Sequence, residues 1–113
     1  MKLFFLIGAD ELDLSNISEN CLIVYIGHHG DNGANNANII LPSPAYTEKE
    51  GIYVNLEGRT QKAEQAVKML GDAKEEWKIV KELAGHLNIN LFRDLKHLRE
   101  KMVDINQNLS NMD

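Results

Sequence analysis

Two uninterrupted apolar runs open the chain, Lys2 to Gly8 and Cys21 to Gly27, each ending in glycine. Neither alternates. A half-buried strand would show a polar residue at every second position, so continuous hydrophobicity predicts strands covered on both faces, as in a parallel sheet with helices on either side. The twelve residues between the runs, Ala9 to Asn20, approach the minimum for a parallel crossover and leave room for one short helix around Asp10 to Leu14. The pair reads as a compressed βαβ unit. A third short strand follows at Asn38 to Leu41, stopped by Pro42, and Pro44 keeps the chain extended.

The pattern then changes. Tyr46 to Glu50 suits a single helical turn ended by Gly51, Ile52 to Asn55 reads as a fourth strand, and Glu57-Gly58 turns it back towards Arg59, Thr60 and Gln61 in a hairpin-like segment. From residue 71 the period becomes helical. Asp72 with Glu75 three residues on predicts a capping box, before a helix whose Ala73, Trp77, Val80, Leu83 or Ala84, and Leu87 share one face, with Gly71 just outside. Trp77, in phase with that stripe, reads as a core anchor. Asn88 to Asn90 break the helix, and a second starts at Asp94 with Leu95, Leu98, Met102 and Ile105 at spacings of three and four. Residues 107 to 113 are expected to fray.

Composition sets bounds on this picture. At 113 residues the chain is one domain or part of one, with a hydrophobic fraction of 43% and a charged fraction of 26% that suit a folded globular protein. Residues 1 to 56 contain seven acids and two bases, whereas residues 57 to 113 contain ten of each. No basic stripe exists, so neither nucleic acid nor an anionic membrane surface is an expected partner. The run Leu3 to Ile7 is too short for a secretory core and is followed by acids, and no stretch approaches a membrane span.

Candidate chemistry is sparse. Cys21 is the single cysteine, which excludes an internal disulfide and cannot alone hold zinc or an iron-sulfur cluster; it reads as a small buried hydrophobe. Gly27, Gly30 and Gly33, with Asp31, Asn32 and further asparagines to Asn38, describe a polar loop at the carboxyl end of a strand, where open α/β sheets place ligands. The spacing is neither a dinucleotide fingerprint nor a P-loop, and no helix is expected to start after it. His28 and His29 lack the further ligands a metal would need, and no nucleophile or orienting acid marks either as a base. Glu48, Glu50, Glu57 and Arg59 read as an ion-pair and turn network fixing a loop. His86 and His97 default to surface or capping roles.

Three local patterns carry a resemblance. They are Ile39-Ile40-Leu41-Pro42, the turn Glu48-Lys49-Glu50-Gly51, and Asn55-Leu56-Glu57-Gly58-Arg59-Thr60-Gln61, followed by the helix with Trp77. This run closely resembles the C-terminal part of the largest iron-sulfur subunit of respiratory complex I, the NADH:quinone oxidoreductase. It looks more distantly like molybdopterin oxidoreductases such as formate dehydrogenases. The likeness covers nearly the whole chain, most strongly Gly27 to Trp77.

The resemblance implies an α/β fold: a partial doubly wound parallel sheet, as a molybdopterin oxidoreductase-like domain fragment, with a C-terminal helical pair. Residues 1 to 70 would form the C-terminal part of that α/β domain and residues 71 to 113 the helical segment. It implies no catalytic, cofactor-binding or metal residue in this chain, iron-sulfur clusters in the parent subunit, and no pterin. The implied partners are other peripheral-arm subunits of complex I or the N-terminal part of the same subunit. The implied location is peripheral on the inner membrane, facing the cytoplasm in bacteria or the mitochondrial matrix. Two buried parallel strands without flanking elements also point to a fragment or a separately encoded tail. The competing readings are a phosphate- or nucleotide-binding module using the Gly27 to Asn38 loop, a gene remnant, and the tail of a molybdopterin enzyme.

Overall fold

The computed structural model describes residues 2–110, which fall into two compact units. The first takes in the chain up to Ala45 together with Met69–Glu76; the second takes in Tyr46–Lys68 and the chain from Trp77 onward.

In the first unit, β1 (Lys2–Ile7), β2 (Cys21–Gly27) and β3 (Ile39–Pro42) form a parallel sheet in the order β1-β2-β3. Lys2 pairs with Cys21 and Ile7 with Ile26, while Val24 pairs with Ile39 and Gly27 with Pro42. All three carboxyl ends therefore share one edge. Because side chains alternate, Leu6 and its register partner Tyr25 lie on the same face, where Ile23 and Ala34 join them as a buried cluster. Ala9, Leu14, Ile17 and Ala37 pack against this cluster.

The expectation of strands covered on both faces holds for β2, whose Val24, Tyr25 and Ile26 are buried, and fails for β1. Only Leu6 of β1 is buried, and Leu3 and Ile7 are 55% and 48% exposed. β1 is an edge strand. Its apolar sequence demands cover that the described residues do not give it.

The crossover also departs from expectation, since no helix forms around Asp10 to Leu14. Short side-chain oxygens compete with helical bonding there. Asp13 Oδ1 accepts the Ser15 amide at 2.9 Å, and turns close from Ile17 N–H to Leu14 O at 3.1 Å and from Cys21 N–H to Ser18 O at 2.9 Å. Conversely, a helical turn that was not expected, α1 (Asn32–Asn36), forms inside the polar loop. Asparagine is a poor helix former, but tertiary anchors override propensity. Ala34 docks into the core, and Asn32 Nδ2 donates to Leu12 O at 3.1 Å. Asn38 then leads into β3, its amide donating to Ile23 O at 2.9 Å while its Oδ1 accepts the Ile23 amide at 2.8 Å.

Asp72 does not cap a helix. α2 (Glu76–His86) begins four residues later, because the Lys74 amide donates to Pro42 O at 3.1 Å and is drawn to the end of β3.

The second unit holds an antiparallel hairpin of β4 (Gly51–Val54) and β5 (Thr60–Ala63), preceded by a 3-10 turn at Tyr46–Glu48. Its connection is organised by Asn55, whose Oδ1 accepts amides from Glu57 at 3.0 Å and Arg59 at 2.9 Å. α2 ends as the asparagines predict. Asn88 takes the left-handed conformation (φ 56°), Ile89 N–H reaches Ala84 O at 2.8 Å, and Asn88 N–H reaches Gly85 O at 3.1 Å, which is a Schellman termination. Trp77 sits against Phe92 with ring centroids 6.4 Å apart. Phe92 and Ala84 are buried, but Leu83 and Leu87 are exposed, so the expected stripe of α2 is only partly covered.

α3 (Leu95–Ile105) starts where Asp94 was expected to start it, with the Asp94 side chain accepting the His97 amide at 2.9 Å. The tail does not fray at once. Gln107–Ser110 form a 3-10 turn, and Thr60 Oγ1 donates to Asn108 O at 3.2 Å. Residues 111–113 lie outside the described residues.

Candidate functional site

The carboxyl edge of the three parallel strands is where this architecture places ligands. In this chain the edge is built around Tyr25. Its side chain lies on the core face of β2 and runs along the strand towards Gly27, two residues on and on the same face. A Cβ on Gly27 would stand 2.1 Å from the Tyr25 hydroxyl oxygen. A Cβ on Gly33 of α1 would stand 2.9 Å from two ring carbons and 3.1 Å from Asp10 Oδ1. Both glycines are therefore required by close approach.

Tyr25 is 1% exposed, and its hydroxyl is buried together with Asp10 Oδ1. Burial, and then the nearby Asp10 carboxylate, push the Tyr25 phenol up to about 12. It stays neutral at physiological pH. The crevice thus presents a buried neutral phenol beside a carboxylate.

The rim of this edge is acidic. Asp10, Glu11, Asp13 and Asp31 lie in its loops, and residues 8–14 and 27–37 contain no Lys or Arg. A phosphate wants cations and a sustained helix N-terminus, whereas α1 has five residues and follows Asp31. The phosphate- or nucleotide-binding reading is not favoured. The residues likewise do not fit a phosphate-bearing pterin, since the space over Gly27 and Gly33 already holds the Tyr25 ring.

His28 and His29 follow β2 on this edge, both exposed, with ring centroids 4.1 Å apart. Among the described residues no group of three or more His, Cys, Asp or Glu is placed to hold a metal ion. Cys21 begins β2 at the opposite edge and is half-buried beside an open hollow of about 400 Å³ lined by Glu19, Asn20, Leu22 and Asn38. Its thiol lies 3.9 Å from Leu22 O, a contact within its own strand.

In the second unit Glu50, one of the four residues of the expected ion-pair and turn network, is held by two cations. Glu50 Oε1 accepts from Arg99 Nη1 at 2.7 Å and from Lys62 Nζ at 3.0 Å. Arg99, and then Lys62, hold the Glu50 carboxyl below its ordinary range. Glu57 and Arg59 join the Asn55 turn through their backbone amides. Neither Lys62 nor Arg99 stood out in the sequence, because both pairings are long-range and carry no local spacing. Phe92 was missed for a similar reason, being a lone aromatic in a stretch that carries no helical period.

His97 takes the capping role. Its Nδ1 accepts the Arg93 amide at 3.1 Å while its own amide bonds to Asp94, whose carboxyl is lowered first by that bond. His86 closes the last turn of α2, exposed.

A family model described as molybdopterin oxidoreductase matches residues 1–86. The chain is similar along its length to a subunit of NADH-quinone oxidoreductase from Rickettsia felis, 49% identical over 114 residues, covering 100% of this chain and 17% of the relative. It is similar to the mitochondrial 78 kDa subunit of NADH-ubiquinone oxidoreductase from Neurospora crassa, 45% identical over 113 residues, covering 99% of this chain and 15% of the relative. It is also similar to the mitochondrial iron-sulfur protein 1 of NADH dehydrogenase (ubiquinone) from Solanum tuberosum, 42% identical over 113 residues, with 99% and 15% covered. The chain spans about a sixth of the length of these curated relatives.

Proposed function

From the premise that this chain belongs to the molybdopterin oxidoreductase family, we propose that it acts as a C-terminal portion of the large iron-sulfur subunit of an NADH:quinone oxidoreductase. The observation that carries this reading is the end-to-end likeness, at 42% to 49% identity, to three relatives named as components of that enzyme. On this reading residues 1–70 complete an α/β domain and residues 71–113 add a helical segment. The chain contributes scaffold and carries no catalytic, cofactor-binding or metal residue of its own.

Electrons then pass from NADH to quinone through iron-sulfur clusters held elsewhere in the parent subunit. This segment excludes water and holds its neighbours in position. Its partners are the rest of that subunit or other subunits of the peripheral arm. Among the described residues no helix is long and apolar enough to cross a membrane, which supports a peripheral place on the respiratory membrane. The exposed apolar face of β1 supports the same reading, because such a face asks for a covering polypeptide.

A native pull-down of the tagged chain from its own cells tests the proposal, with co-purifying proteins identified and iron and NADH-acceptor activity assayed. Recovery with iron-sulfur subunits, iron and activity is the expected result. Recovery of the chain alone, without iron or partners, would overturn it.

A further inference from the structure

We infer that the ligand edge of this sheet is filled from within. The Tyr25 ring, ending beside Asp10, takes the room over Gly27 and Gly33 that a bound group would need, and a chain lacking that ring offers a site for a phenol. The inference concerns the first unit alone and stands whether or not the chain works inside a larger subunit.

Three observations carry it. First, the ring does not merely fill the middle of the core but reaches the last residue of β2, where its hydroxyl occupies the position a Gly27 Cβ would need. Second, the walls come from two different elements, Gly27 on β2 and Gly33 on α1, and both are open enough to admit a flat ring only because they lack side chains. Third, the polar end of the crevice is built for something other than packing. A position filled for packing alone is served by phenylalanine, since a buried hydroxyl without a partner is unfavourable. Here the phenol oxygen and the Asp10 carboxylate oxygen are buried together, each the polar neighbour of the other. The space is therefore apolar along its length, against Leu6 and Ala34, and polar at one end. Phenol is the ligand class with that shape and polarity.

The experiment compares the parent 113-residue chain with Tyr25→Ala and Tyr25→Phe, using phenol as the probe and benzene as its apolar control, followed by thermal unfolding and amide chemical shifts. Dry engineered cavities in other proteins bind such rings. The expected result is that phenol raises the melting temperature of Tyr25→Ala in a saturable manner and shifts amides around Gly27 and Gly33. The parent and Tyr25→Phe should show neither effect, and benzene should bind Tyr25→Ala about tenfold more weakly than phenol for want of the hydrogen bond to Asp10. A folded Tyr25→Ala that ignores phenol overturns the inference, as does a parent chain that binds phenol at this edge equally well.

Should Tyr25→Ala fail to fold, Gly27→Ala decides the matter. Its Cβ displaces the hydroxyl, so the ring-carbon titration of Tyr25 should fall from about 12 towards the ordinary tyrosine value of about 10. An unchanged titration in Gly27→Ala would mean that the ring does not occupy this edge, and overturns the inference.

Discussion

Glu50 and Arg99 stand 49 positions apart in sequence and 2.7 Å apart in space, joining the start of the hairpin to the middle of α3. Lys62 of β5 shares the same carboxylate oxygen. All three side chains are partly exposed, so solvent screening limits what the trio contributes. Glu50→Gln or Arg99→Ala should each lower stability by roughly 0–1 kcal/mol. A double-mutant cycle read from urea midpoints should give a coupling that shrinks on adding salt.

Acid should erode the second unit in a defined direction. The Glu50 and Asp94 carboxyls titrate below their ordinary range when folded, so the unfolded chain binds more protons in that window. The stability they contribute is complete above about pH 5 and is lost as pH falls through their depressed values. Urea midpoints at about pH 5 and pH 3 should fall less in a Glu50→Gln, Asp94→Asn double variant than in the parent. An equal fall in both would show that other groups control the acid limb.

Alkali should act on Tyr25 with the opposite sign. Its folded value is raised, so the folded chain retains a proton that the unfolded chain has lost, and stability present below about pH 10 declines as pH rises towards 12. Tyr25→Phe should lack this decline between about pH 9 and pH 11.

Gly33→Ala should be costly although alanine is the better helix former. The new Cβ would meet the ring of Tyr25 at 2.9 Å and Asp10 Oδ1 at 3.1 Å, and Tyr25 is too buried to swing aside. Overpacking of this kind costs about 1–3 kcal/mol, more than the gain of up to about 1 kcal/mol from propensity. Chemical denaturation should report a net loss.

Asn88 offers a test of the α2 terminus. Its φ of 56° is tolerated by asparagine and natural for glycine, whereas alanine is strained there by about 1 kcal/mol. Asn88→Ala should lower the melting temperature and Asn88→Gly should leave it nearly unchanged.

The elements with local signatures were legible in the sequence. Continuous hydrophobicity marked β1 and β2, the glutamate-glycine turn marked the hairpin, and Asp94 and the Asn88 region marked two helix ends. What escaped was decided at long range. Asp72 lost its helix to the bond between the Lys74 amide and Pro42 O, the Asp13 turn replaced a crossover helix, and α1 formed because Ala34 is held by the core. At the candidate edge, the glycines were visible but the tyrosine that explains them lay inside an apolar run. Only the fold brings Tyr25, Asp10 and Gly33 together.

The free edge of β1 has a cellular consequence. Its six residues have high β-propensity and a single charge, and they carry exposed Leu3, Phe5 and Ile7 beside unpaired backbone groups. A strand in that state recruits other strands indiscriminately. Newly made copies left without a covering polypeptide are therefore substrates for chaperones and proteases, so the abundance of this chain should follow that of whatever shields the strand more closely than it follows its own rate of synthesis.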